Sequence, residues 1–165
     1  VDARDLGGQR RLDRGRDVIA EAGLLGPEGQ ANYGAAKAGI TALTLSASRA
    51  LKRYGVRANA ICPRARTAMT AAVFGDAPTD GVDPLDPEHV VRLVTYLAGS
   101  DSDAVTGQVF VVYGPKVTLM AAPTVDEVFV AEGDAWSAED LAKTLTGHFA
   151  DRDPGRTFSA SALVN

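Results

Sequence analysis

NYGAAKAGI, Asn32 to Ile40, is the stretch on which the reading of this 165-residue chain turns. Tyr33 and Lys37 stand four residues apart at the start of a run of small residues. Residues so spaced on a helix lie on one face, so both side chains can reach the same small volume. A free tyrosine has a pKa of about 10 and exchanges protons poorly at pH 7. A neighbouring ammonium stabilises the phenolate and makes that exchange easier. Hydride transfer to a carbonyl needs an acid for the developing alkoxide, and the reverse oxidation needs the same group as a base. Tyr-x-x-x-Lys therefore makes physical sense as a proton-transfer pair. The same spacing also arises between two unrelated polar residues on an exposed helix face, so the motif takes its weight from its surroundings.

Downstream of the motif, Ile40, Leu43, Ala47, Ala50, Leu51 and Tyr54 recur at three- and four-residue steps, which predicts a helix over 32–54. Gly55 supplies its C′ residue. Ala35, Ala36, Gly39 and Ala42 would let a neighbouring helix approach closely. Val56 to Cys62 reads as a strand stopped by Pro63, and residues 64–86 as loop with one short helical turn. A second helix is expected over 87–98, with Asp86 as N-cap, Pro87 at the first helical position and Val90, Val91, Val94 and Leu97 as the apolar face. Gly107 to Tyr113 is a continuous apolar strand of the kind buried on both faces.

Upstream, Asp17 to Ala20 reads as a short buried strand, Gly23 to Gly29 as a loop, and residues 1–17 as loop or disorder. The alternation of strand and helix argues for parallel βαβ units. After Gly114 the pattern changes. Val125 to Val130 is expected as an additional strand. Ser137 with Asp140 resembles a capping box, opening a helix with Leu141, Leu145 and Phe149 on one side.

Composition narrows the class. Apolar residues make up 45% and charged residues 23%, the balance of a soluble globular chain long enough for one real core. A net charge of −4 gives no reason to expect nucleic-acid or anionic-membrane binding. One cysteine, Cys62, excludes an internal disulfide framework and fits a reducing, cytoplasmic setting; at a strand end it reads as a small buried hydrophobe. His89 and His148 lack metal-ligand spacing and are expected at the surface.

The run GLLGPEGQANYGAAKAGITALTLSASRAL, followed by YGVRANAICPRARTAMT, DPEHVVRLVTYLAG and GQVFVVYG, resembles the second half of a short-chain dehydrogenase/reductase. The likeness covers roughly residues 15–114, in order and at family-like spacing. Within the family, GQANYGAAKAGI and RANAICP most resemble 3-oxoacyl-thioester reductases and 3-hydroxyacyl dehydrogenases. The resemblance implies an α/β fold: the C-terminal part of a doubly wound parallel, Rossmann-like sheet over 15–114. Residues 1–14 would be irregular and 115–165 a C-terminal extension. It further implies NAD or NADP as cofactor, a small-molecule or acyl-thioester substrate, and a homo-oligomer built partly on the helix that carries the motif.

Carried over by position, the resemblance makes Tyr33 the catalytic acid/base. Lys37 would favour its ionised form and hold the ribose hydroxyls of the cofactor. Pro63, Arg64 and Thr67 would lie beside the nicotinamide and pyrophosphate, with Thr67 the polar contact. Arg64 stands where the family more often has glycine; it either reaches a phosphate or carboxamide or points to solvent.

Two parts of the family pattern are not found in this sequence. The family's catalytic serine belongs on the strand end before the tyrosine, where Ile19, Ala20 and Glu21 stand, and no serine or threonine precedes Thr41. Losing one such polarising contact costs about 10²–10³ in rate. The glycine-rich turn that lets backbone approach a pyrophosphate is also missing, since neither Gly7-Gly8 nor Gly23, Gly26 and Gly29 has the G-x-G-x-x-G spacing. The expectation is a truncated product that lacks the first half of the sheet. Two functions therefore compete: an oxidoreductase interconverting 3-oxo and 3-hydroxyacyl thioesters, and a non-catalytic remnant or binding subunit of a complete homologue.

Overall fold

The structure, a computed structural model, describes residues 22–26, 28–154 and 156–158. The expected strand at 17–20 and the irregular segment before it lie outside the described residues. The chain divides into two compact units, the first running through Met120 and the second spanning Ala121–Ser159.

The first described element is a short helix, α1 (Ala22–Leu25), within the stretch expected as loop. The motif helix follows as α2 (Ala31–Ala50). It does not continue as α-helix to Tyr54. After Leu51 it tightens into a 3₁₀ turn over Lys52–Tyr54, and Gly55 (φ 73°) ends it by donating to the Lys52 carbonyl at 3.0 Å. The small-residue stripe of α2 is exposed, and beyond the helix's own neighbouring backbone no atom of the described residues lies within 4 Å of where a Gly39 Cβ would sit.

Strand β1 (Ala60–Pro63) starts later than the sequence suggests. The backbone just before it is tied elsewhere. Ala58 N–H donates to Thr106 Oγ1 at 3.2 Å, and the Ala58 carbonyl accepts from Gly107 N–H at 2.8 Å. The Asn59 side chain donates to the Val105 carbonyl at 2.9 Å and accepts from Gln108 N–H at 3.0 Å. Pro63 is the last strand residue rather than the residue after it. Its missing N–H is tolerated because β1 is an edge strand of the described sheet. A short helix, α3 (Ala71–Phe74), supplies the expected helical turn in the following loop.

Helix α4 (Glu88–Ala98) then crosses over to β2 (Val109–Tyr113), which pairs with β1 in parallel, Ala60 opposite Val109 and Pro63 opposite Val112. This is the βαβ unit read from the sequence, since parallel strands need such a crossover. Pro87 rather than Asp86 is the N-cap, and Asp86 supports the start from one residue further out, its Oδ1 accepting from Glu88 N–H at 2.9 Å. The buried stripe of α4 is Val90, Leu93 and Leu97, while Val91 and Val94 are exposed. The face is rotated from the expected one because Leu93 points into the sheet.

At the other end of α4, the Arg57 guanidinium donates to the carbonyls of Leu97 (2.9 Å), Ser102 (3.1 Å) and Gly99 (3.2 Å) and to Ser102 Oγ (2.9 Å). It closes the helix terminus with positive charge, where the macrodipole favours it. Leu93, Phe110 and Val112 form the core, with Ile61, Val90, Leu97 and Val105 packed against it. Burying each large side chain contributes about 1.5–3 kcal/mol.

Strand β3 (Lys116–Leu119) was not expected. It pairs with β2 antiparallel, Tyr113 opposite Lys116 and Phe110 opposite Leu119, which gives the order β1-β2-β3. Gly114 makes the turn. Its φ is +54°, and a Cβ there would stand 3.2 Å from Pro84 Cβ, so both conformation and space require glycine.

The second unit contains α5 (Ala138–Ala150), opened by the expected capping box: Ser137 Oγ accepts from Asp140 N–H at 3.0 Å. Val125 to Val130 is not a strand. β-Branched residues favour one, but no partner strand pairs with this segment among the described residues. It is anchored instead by side chains. Asp126 pairs with Arg152 and Arg156, and the Phe129 ring meets His148 edge-on at 5.0 Å. His148 is therefore partly buried rather than at the surface, with its Nε2 2.9 Å from Arg152 Nη1. Among the described residues, no helix is long and apolar enough to cross a membrane, and no cluster of side chains could hold a metal ion.

Candidate active site

Tyr33, Lys37, Pro63 and Thr67 line one cavity of about 240 Å³ in the first unit. The local structure explains how. The first turns of α2 carry Tyr33 and Lys37 on one face. The C-terminal end of β1 delivers Pro63 and the loop that holds Thr67 to the same place. Lys37 Nζ lies 5.3 Å from the centre of the Tyr33 ring, so the ammonium sits against the aromatic face. Both side chains are half-buried. Leu24, Ile40 and Ile61 add apolar walls. A larger, more open groove of about 520 Å³ lies beside Arg57 and Asn59, but it contains no acid/base pair and its arginine is committed to the end of α4.

Gly23 sets the distance between α1 and α2 at the site. A Cβ on Gly23 would fall 2.6 Å from Ala38 N and 2.8 Å from Lys37 C, closer than atoms can pack. The backbone of α1 therefore rests directly on the turn that carries Lys37. The sequence reading placed Gly23 in a loop and gave it no role.

The loop after β1 is held by Arg66, which the sequence reading also passed over. Arg66 N–H donates to the Leu85 carbonyl at 2.7 Å. Its guanidinium pairs with Asp83 (Nε to Oδ2, 3.1 Å) and donates to the carbonyls of Phe74, at 2.9 Å, and of Gly75. Asp83 Oδ1 also accepts from Leu85 N–H at 2.8 Å. Together these bonds fix both ends of the segment that follows Thr67.

The hydrogen bond from Arg66 holds the Asp83 carboxyl below its ordinary value of 3.8. The sign follows by linkage. A depressed carboxyl contributes stability that is fully present above the unfolded value and is lost as pH falls through the folded one. The stability gap between the wild-type chain and Asp83→Asn is expected to stay constant from neutral pH down to about 4 and to shrink only below that. Denaturant melts across this range would show it. A gap that already closes between about pH 5 and 7 would contradict the assignment.

The remaining residues singled out by sequence are placed as follows. Arg64 does not line the cavity; its guanidinium lies over the Tyr113 ring, 5.3 Å from the centre. Cys62 is half-buried in the cavity wall. His89 is not a surface residue: it is half-buried, with Nε2 3.2 Å from the Asp83 carbonyl oxygen. Ile19, Ala20 and Glu21, where the serine was sought, lie outside the described residues.

The family model described as enoyl-(acyl carrier protein) reductase matches residues 19–114, which include every cavity residue named above. The chain belongs to the short-chain dehydrogenase/reductase family. It is similar to a Mycobacterium tuberculosis protein named hydroxyacyl-CoA dehydrogenase ChsB1, at 56% identity over 98% of this chain and 52% of that one. It is also similar to human (3R)-3-hydroxyacyl-CoA dehydrogenase, 39% identical over 55% of this chain and 38% of the human protein. The crystal structure of a short chain dehydrogenase from Mycobacterium avium superposes with a TM-score of 0.66 at 33% identity, covering 86% of this chain and 46% of that one. The chain thus spans about half the length, or less, of these dehydrogenase/reductase relatives. The similarity to ChsB1 takes in nearly the whole chain, the segment after Gly114 included.

Proposed function

We propose that this chain carries the proton-transfer half of an NAD(P)-dependent oxidoreductase that interconverts 3-oxoacyl and 3-hydroxyacyl thioesters. The observation that carries the reading is that Tyr33 and Lys37 from α2 and Thr67 from the loop after β1 line one cavity. A phenol, an ammonium and a hydroxyl on converging walls fit the nicotinamide end of a dinucleotide. The thioester substrate is supported by the printed names of the relatives.

When bound, the nicotinamide supplies or takes up the hydride. Tyr33 Oη gives a proton to the substrate oxygen as the carbonyl is reduced and takes it back in the oxidation. The Lys37 ammonium, which lies against the Tyr33 ring, would hydrogen-bond the ribose hydroxyls. Pro63 and Thr67 form the wall beside the ring. Arg64, stacked on Tyr113, is proposed to approach the cofactor from the end of β1. Association of copies through α2 is supported by Ile40 and Leu43, which are 52% and 69% exposed.

A second reading, a non-catalytic partner of a complete homologue, is favoured by one observation: Ile19, Ala20 and Glu21, where the resemblance places the family's serine, carry no hydroxyl to polarise the substrate oxygen. Titration of the chain with NADH and NADPH, followed by nicotinamide fluorescence, separates the two. Saturable binding weakened roughly tenfold by Lys37→Ala supports the first, since an ammonium hydrogen bond is worth about that much. No binding at millimolar cofactor leaves the second.

A further inference from the structure

We propose that Thr70 is a positioning residue: it fixes the direction of the Thr67 hydroxyl, so that Thr67 faces the cavity as a hydrogen-bond acceptor and selects a ligand that offers an N–H there. A threonine hydroxyl has one proton and two acceptor lone pairs. Thr70 Oγ1 accepts from Thr67 N–H at 2.8 Å. Its own proton goes to the Ala65 carbonyl at 2.8 Å, a shorter contact than the 3.3 Å to the Thr67 carbonyl. With that proton committed, the 3.1 Å contact between the two hydroxyls is made by the proton of Thr67, which fills the second lone pair of Thr70. Thr67 Oγ1 then keeps two lone pairs and has no proton left to give.

Both side chains line the cavity that holds Tyr33 and Lys37. A relay from Thr67 through Thr70 to the Ala65 carbonyl therefore turns an ambivalent hydroxyl into an acceptor. The inference rests on the nicotinamide reading, because at that end of the cofactor the carboxamide is the group that offers N–H donors. An acetyl group in its place keeps the carbonyl oxygen but puts a methyl where the NH2 stood, so it has no proton to give to Thr67.

The test uses the 165-residue chain and two reduced dinucleotides, one with the nicotinamide carboxamide and one with an acetyl group in its place. Affinities are measured by calorimetry for wild type, Thr70→Val and Thr70→Ser. Wild type is expected to prefer the carboxamide form by roughly five- to tenfold, the worth of one hydrogen bond. Thr70→Ser keeps the hydroxyl and should keep that preference. Thr70→Val frees the Thr67 proton and should bring the ratio to within about twofold. Independently of ligand, exchange of the Thr67 amide proton should quicken about tenfold in Thr70→Val and not in Thr70→Ser. A preference unchanged in Thr70→Val, or none in wild type, would overturn the proposal while leaving dinucleotide binding intact. Failure of both dinucleotides to bind would overturn the functional reading beneath it, and the proposal with it.

Discussion

Tyr33→Phe is expected to lower turnover of a 3-hydroxyacyl thioester by about 10²–10⁴-fold, the usual contribution of a positioned acid/base. The substitution removes one oxygen and keeps the ring against which Lys37 Nζ sits at 5.3 Å. The cavity wall and the fold should therefore persist, with the thermal midpoint unchanged and dinucleotide affinity altered by less than about threefold. That split, between lost kcat and retained binding, is what distinguishes proton transfer from packing. Turnover within a factor of about ten of wild type would remove Tyr33 from the mechanism.

Arg57→Ala is expected to cost about 2–3 kcal/mol of stability, because it removes charge-assisted bonds to several acceptors at once. The carbonyls of Leu97 and Gly99 at the end of α4, and that of Ser102, would lose a donor held in a side chain only 23% exposed. Ser102 is completely buried, so water replaces the lost bonds poorly. For a unit of this size, the midpoint should fall by about 10 °C or more. Arg57→Lys should recover only part of the loss, since an ammonium cannot spread donors across three carbonyls as a planar fork does. Chemical denaturation of the three proteins decides it. A loss in Arg57→Ala below about 0.5 kcal/mol would mean that the terminus is satisfied without it.

What the sequence revealed, and what it concealed, follows from how local each feature is. The joining of Tyr33 and Lys37 is a matter of helix spacing, and Pro63 marks a strand end by its missing donor. These were legible. So was the capping box at Ser137, which needs only four residues, and the βαβ alternation, which follows from period and punctuation. The Arg66–Asp83 pair was not legible, because nothing in either residue's neighbourhood names the other across 17 positions. The same holds for Arg57 and the end of α4. Thr70 gains its role from the shape of one turn, which residue types alone do not specify. The apolar face of α4 was misassigned because several valines compete for the stripe and only the sheet decides that Leu93 is inside. Val125 to Val130 was read as a strand on propensity, yet a strand exists only where a neighbour accepts its hydrogen bonds. The four residues of β3 were overlooked for the opposite reason: a run too short to stand out by itself, made a strand by an adjacent partner across a tight turn.

That adjacency has a consequence for the order of events in folding. The chain returns from Tyr113 to Lys116 across two residues, whereas from Pro63 to Val109 it must lay down a loop and the whole of α4. Closing the short connection costs little entropy, and a hairpin of this kind forms in about 1–10 μs. The β1–β2 ladder carries the much larger sequence separation that slows folding. β2 and β3 therefore come together first, as a template, and β1 docks last on its free side. Pro63 and Thr67 arrive with β1, so the wall of the cavity that faces Tyr33 is among the latest parts of the molecule to take shape.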